Sequence, residues 1–242
     1  MNNNTWQVFH FGLLVTGRTE EKHLPKLFNA LQSQPEVQGR CHFEVIRFIN
    51  QLRPKKKKQK INMVGKNKEI PDKTTHIGFA ARKYINKSEH HYVLLIDDLE
   101  YEWKELAFDV FQLYREIFDV ILKAKRHRAA VHFLVYMLEA YYFADANAIN
   151  SVLSTNLKDY EGDVETIRHP KGELKRLFKD FGEIKHGGEI ISILDVELIL
   201  SNRETCGSLR TLYQWCWKKM GQVPTDKYQL LNGKLNEITQ SQ

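Results

Sequence analysis

The residues in this chain best suited to chemistry are carboxylates that fall where apolar segments end. Asp97, Asp98 and Glu100 directly follow residues 92–96 (YVLLI). A short continuous apolar run has the pattern of a central strand buried on both faces. In an open parallel sheet, functional groups gather beyond the carboxyl ends of the strands. Adjacent carboxylates repel unless a cation or a proton lies between them. Mg²⁺ (or Mn²⁺) is the natural guest, because Mg²⁺ prefers hard oxygen ligands and keeps waters that a phosphate can replace. Glu20 and Glu21 form a second cluster, just after Thr16-Gly17, where a strand gives way to a helix. They could ligate the same ion, or only complement the dipole of the helix's first turn. Glu139 is the only Asp, Glu, Lys or Arg in residues 131–144. An unpaired buried carboxylate is costly, so Glu139 must be paired, protonated or metal-facing. Two readings stay open: a structural pair with Arg168 or Lys175, or a place beside the Asp97 cluster.

The bases are distributed unevenly. The chain of 242 residues has 36 Lys and Arg against 30 Asp and Glu, a formal charge of +6. Residues 51–73 alone carry +7, and the remainder carries −1. Lys55, Lys56, Lys57, Lys58 and Lys60 lie in this stretch, which also holds Pro54, Gly65 and Pro71 and little apolar periodicity. It reads as a mobile loop. Such a run would attract a polyanion and release counterions on binding, although a simply solvated loop is the alternative. No regular aromatic interleaving accompanies it, so base stacking is not indicated. A further constellation is Arg168-His169-Pro170-Lys171, with Lys175 beyond it. Pro170 suits the first position of a helix. Lys171 and Lys175, four apart, would share a face and could hold a phosphate or a carboxylate. A solvated helical face is the other reading.

The elements that must position these groups follow from periodicity. Strands are expected at residues 6–15, 41–49, 92–96 and 131–136. Helices are expected from Thr19 as N-cap, over 74–87, over 103–125, and from about Asp145. The last third reads as helices over 171–181, 189–200 and 205–220. Strand–helix alternation over the first 145 residues argues an α/β fold with a mainly parallel sheet flanked by helices. The division is then an α/β core over 1–145 and a helical C-terminal part over 146–242 packed on it.

Other chemistries lack their signatures. There is no G-x-G-x-x-G, Walker loop, G-x-S-x-G or H-E-x-x-H. Cys41, Cys206 and Cys216 form no C-x-x-C pair, which suits a reducing compartment. No secretory signal and no apolar run of about 18 residues is present, so a cytoplasmic protein without membrane contact is expected.

Four segments resemble a Toprim-like family of unknown function, found in bacteria and often beside AAA-type or ABC-type ATPases in defence-associated loci. They are LLVTGRTEEKHLPKLF (13–28), YVLLIDDLE (92–100), HFLVYMLEAYYFAD (132–145) and HPKGELKRLF (169–178). The resemblance implies a Toprim-like fold. It also implies an acid after the first strand and an aspartate pair after a later one, holding Mg²⁺ for phosphodiester chemistry. By position the first acid falls at Thr16, a departure that Glu20 or Glu21 one turn on would compensate. The usual Asp-x-Asp is also displaced: Asp97-Asp98-Leu99 lacks the second acid, and Asp98-Leu99-Glu100 supplies a shifted version.

Three functions are compatible with this pattern. The first is a Mg²⁺-dependent nuclease, acting as effector of a defence module. Asp97, Asp98, Glu100 and Glu139 would be its metal ligands, Glu20, Asp98 and Glu139 its catalytic acids, and Lys171, Lys175 and the lysine loop would hold nucleic acid. The second is a catalytically degenerate binding or regulatory partner of an ATPase. The third is a nucleic-acid binder that uses the basic loop alone.

Overall fold

The computed structural model describes residues 7–35, 37, 39–53 and 72–222. The lysine loop, with Lys55, Lys56, Lys57, Lys58 and Lys60, lies outside the described residues. Four strands form one sheet: β1 (Phe9–Val15), β2 (Cys41–Phe48), β3 (His91–Leu99) and β4 (Ala129–Val135). All neighbours pair in parallel, in the order β2-β1-β3-β4. The expected α/β class is therefore the observed one.

Helices cover both faces, as parallel sheets require. The chain leaves β1 through α1 (Arg18–Leu27) and the short α2 (Asn29–Gln32) to reach β2. It crosses back through α3 (Asp72–Ile85) to β3, and then through α4 (Ala107–Leu122) to β4. The direction of winding thus reverses between β1 and β3, and a crevice opens beyond the carboxyl ends of strands at such a point. Helices α3 and α4 pack on one face, against Leu14, Val93 and Leu95. On the other face, Phe11, Leu13, Leu94 and Ile96 pack with α1 and the C-terminal helices. These are α5 (Ala146–Leu153), α6 (Pro170–Leu177), α7 (Gly188–Ile193), α8 (Val196–Ser201) and α9 (Gly207–Lys219). The second face is aromatic: Phe28 stacks on Phe43 at 4.1 Å, and Phe43 on Phe11 at 4.7 Å. Tyr213 of α9 lies on Phe28 at 5.8 Å.

Local differences from the sequence expectations have physical causes. Gly17, not Thr19, occupies the N-cap of α1, and Thr19 is buried inside the helix. The helix expected over 189–200 breaks at Leu194-Asp195, because the Asp195 carboxylate accepts from the Leu198 N–H at 3.0 Å and starts α8. Most consequentially, β3 does not end at Ile96 but runs through Leu99. Among the described residues no helix is long and apolar enough to cross a membrane.

Candidate carboxylate site at the β1–β3 switch point

Because β3 continues through Asp97 and Asp98, these neighbours point to opposite faces of the sheet. Asp97 falls on the α3/α4 side with Val93 and Leu95. There its carboxylate accepts from the Thr16 hydroxyl at 2.8 Å, Arg53 at 2.7 Å and the Tyr114 hydroxyl at 3.0 Å. Both Asp97 oxygens are engaged and the side chain is fully buried. The structure therefore separates Asp97 from the group expected to share a metal. Thr16, where the family resemblance placed an acid, serves as a donor to this anchor. Glu100 is also apart: it caps the 3-10 turn Tyr101–Leu106 and acts electrostatically on Arg53.

Asp98 falls on the other face, where four chain segments bring charged groups to it. Glu20 comes from the first turn of α1. Its carboxylate folds back over Gly17 and accepts from its own backbone N–H. A Cβ at Gly17 would stand 1.6 Å from Glu20 Oε2, so only glycine leaves room for this conformation. Glu21 points to solvent. Glu139 comes from the 3-10 helix Leu138–Ala144 that follows β4. The turn before it is strained: Tyr136 has φ 54°, and Met137 has φ 82° with ψ 162°, a region nearly confined to glycine. Strain of this kind persists only where surrounding structure imposes it. In a 3-10 helix residues i and i+3 are eclipsed, so Tyr142 lies in line with Glu139 and faces the same acids.

Lys171 comes from the first turn of α6, with Pro170 at N1. A cation there opposes the helix dipole, and local carboxylates supply its counter-charge. Its ammonium lies 3.0 Å from Glu183 and 3.7 Å from Glu139. Glu183 belongs to the π-helical turn Glu183–Gly187 before α7. Lys171 is thus the partner of Glu139; Arg168 and Lys175 are exposed and are not. Lys175 does not join the site.

The electrostatics are those of a buried acidic cluster. Burial, reinforced by the Glu20 and Glu139 charges, pushes the Asp98 carboxyl well above the usual carboxylate range. Burial likewise raises the proton affinity of Glu20, while a side-chain hydrogen bond with Asp98 acts in the opposite direction. Burial pushes Glu139 up to about 7, in spite of Lys171 nearby. Burial and the surrounding carboxylates keep the Tyr142 phenol protonated. Asp98 Oδ1, Glu139 Oε2 and the Tyr142 hydroxyl are all buried with no hydrogen-bond partner among the described residues.

These orphaned atoms test whether a metal fits. Among the described residues, no three His, Cys, Asp or Glu side chains form a ready-made metal cage. Mg²⁺ does not need one: it is commonly bound by one or two carboxylates plus waters and substrate phosphates. Asp98 Oδ1 and Glu139 Oε2 are hard oxygen donors of the required kind. The donor set fits Mg²⁺ or Mn²⁺, with Glu20 beside it and Lys171 as the resident counter-charge.

Sequence reasoning missed Glu183 and Tyr142. Tyr142 carried a signal, its three-residue spacing from Glu139; nothing in the spacing marks Glu183. A family model described as "Domain of unknown function (DUF4276)" matches residues 15–215. This span contains every residue of the site. No curated protein and no solved structure matches the chain. The chain belongs to the family defined by this domain of unknown function, DUF4276.

Proposed function

We propose that the protein is a Mg²⁺- or Mn²⁺-dependent nuclease with Asp98 and Glu139 as metal ligands. One observation carries the reading: beside the switch point of a parallel sheet, Asp98 and Glu139 act electrostatically on one another, and each has a buried carboxylate oxygen without a hydrogen-bond partner among the described residues. Bound there, the metal would lower the pKa of a water and stabilise the charge developing on a phosphodiester. The chain's own groups do the rest. Glu20, beside Asp98, would take up the proton that Asp98 gives up on ligating a cation. Lys171, which lies 3.7 Å from Glu139, would offer its ammonium to the phosphate. Tyr142 donates into the pocket. On this reading the site would be a variant of the Toprim-like plan, with Glu20 in place of the acid absent at Thr16 and Asp98 acting without Asp97. The lysine loop would supply non-specific attraction to nucleic acid.

The test is cleavage of labelled DNA and RNA, single- and double-stranded, with Mg²⁺ or Mn²⁺. Asp98→Asn and Glu139→Gln should each abolish it. Unchanged cleavage in Asp98→Asn would place the chemistry elsewhere. A second reading has its own support: Thr16 in the acid position and an ammonium already among the carboxylates suit a degenerate site. The protein would then be a regulatory partner of an AAA- or ABC-type ATPase. Absence of cleavage and of metal uptake, with stable co-purification of such an ATPase, would favour it.

A further inference from the structure

Three segments that deliver site residues also deliver, three positions away, members of a second cluster. Asp98 is followed by Tyr101, Glu139 is preceded by Tyr136, and Lys171 is preceded by Arg168. Three residues span at most about 10 Å of chain, so this cluster stands at the rim of the carboxylate pocket. Its members touch one another. Tyr101 and Tyr136 meet edge to face at 5.3 Å, and His169 lies against Tyr101 at 6.0 Å. The Arg168 guanidinium sits over the Tyr101 ring at 4.9 Å, and the Lys104 ammonium at 4.5 Å. Both tyrosines are partly exposed, and Arg168 and His169 are exposed.

The charges around this cluster suit an anion. Among the described residues Arg168 pairs with no carboxylate; the aromatic ring orders it instead. Lys104 has Glu105 at 3.6 Å. Beyond Arg168 and His169 opens a cavity of about 660 Å³, which Lys158, Tyr160 and Arg176 also line, with Glu173 as the acid. Cavities of a few hundred Å³ accommodate small organic groups. A guanidinium free of carboxylates, at the edge of a pocket full of them, is suited to a ligand that is itself anionic. Aromatic rings beside it are suited to a ligand that also carries flat apolar faces.

We infer that Tyr101, Tyr136, Arg168 and His169 form a platform for an unpaired nucleotide flanking the phosphodiester held at the carboxylate pocket, so that the ligand is single-stranded nucleic acid. Arg168 contacts a backbone phosphate, and the partly exposed Tyr136 ring and the exposed His169 ring receive a base, while Tyr101, covered by the Arg168 and Lys104 cations, holds the cluster together. The base faces of a duplex are stacked inward and cannot reach the rings; those of a single strand can. The inference rests on the nucleic-acid reading of the site, but binding tests it without any cleavage.

The experiment is fluorescence anisotropy on the full chain with EDTA present. The probes are a labelled single-stranded DNA, its RNA equivalent, the duplex, and a single strand of the same charge with abasic positions. The parent protein should bind both single strands more tightly than the duplex or the abasic strand. Tyr136→Ala should weaken single-strand binding about tenfold or more, the scale of losing one base stack, and should erase the preference over the abasic strand. Tyr136→Phe should restore it, which separates stacking from folding. Arg168→Ala should flatten the salt dependence by about one phosphate contact, a slope change of about 0.7. Equal affinity for base-bearing and abasic strands, or a Tyr136→Ala variant that folds and binds like the parent, would overturn the platform. So would absence of binding to every probe. A preference between DNA and RNA identifies the ligand's sugar. Loss of cleavage in Asp98→Asn with single-strand binding retained would leave both the pocket and the platform standing. Binding as inferred, without cleavage by any protein, would overturn only the nuclease reading.

Discussion

Replacing Glu139 by glutamine should make the metal-free protein more stable at neutral pH than the parent, by an amount that grows with pH. Glu139 is 1% exposed, and burial lifts its carboxyl from 4.5 to about 7 in the folded chain. In the unfolded chain it ionises near its ordinary value. Between these values the folded state binds more protons than the unfolded state, so stability falls as pH rises. Below about 4.5 the carboxyl is neutral in both states and contributes no pH dependence. Above about 7 it is ionised in both, and the full loss has been incurred. Each pKa unit corresponds to about 1.4 kcal/mol, so by pH 7.5 the loss is about 3 kcal/mol. The amide of the Glu139→Gln variant cannot ionise and does not incur it. For a domain of this size, about 3 kcal/mol corresponds to a Tm shift of roughly 6–12 °C. Thermal melts of parent and Glu139→Gln in EDTA, from pH 4.5 to 8, should therefore diverge by this amount as pH rises. Adding Mg²⁺ at about a hundred times its Kd should return about 2.7 kcal/mol to the parent and much less to the variant. Parallel pH profiles would refute the claim that Glu139 titrates as a buried acid. Equal Mg²⁺ stabilisation of both proteins would refute its role as a ligand.

Further consequences follow from neighbouring residues. Asp97→Ala removes one partner from a buried network with Arg53, Thr16 and Tyr114, and should cost about 3–5 kcal/mol in urea unfolding. Asp98→Asn, which removes a buried carboxyl whose ionised form is disfavoured by burial and by the Glu20 and Glu139 charges, should be near neutral or stabilising in the same assay while eliminating metal binding. A similar cost for both would deny their separation across the sheet. Gly17→Ala places a methyl against Glu20; Mn²⁺ affinity by calorimetry should fall about tenfold or more, as for other residues that orient a ligand shell, with only a small change in Tm. Met137→Gly should relieve a backbone strain of about 1–3 kcal/mol against a glycine entropy cost of about 1 kcal/mol. A net gain in urea stability is expected, together with slower cleavage as Glu139 loses its fixed position.

The strands and their direction were legible in the sequence because each is a short apolar run bounded by turn residues and separated by a helical period. The acids worth testing were legible too: Asp98 and Glu139 interrupt or end such runs, and a buried charge must have a use. The sequence did not show which acids meet. Asp97 and Asp98 are adjacent in the chain, yet the pleat of β3 sends one to Arg53 and the other to Glu20, and only the strand's actual end, at Leu99 and not at Ile96, reveals this. Glu183 joins the site from a distant π-helical turn with no pattern to announce it. The partner of Glu139 proved to be Lys171 because packing of α6 against the 3-10 helix decides which ammonium reaches the pocket. Tyr101, Tyr136 and Arg168 are far apart in sequence, so no aromatic–basic interleaving could be read along the chain. Local propensity and hydrophobic period are written residue by residue; side-chain convergence depends on strand register, face and helix packing, which exist only once the whole chain has folded.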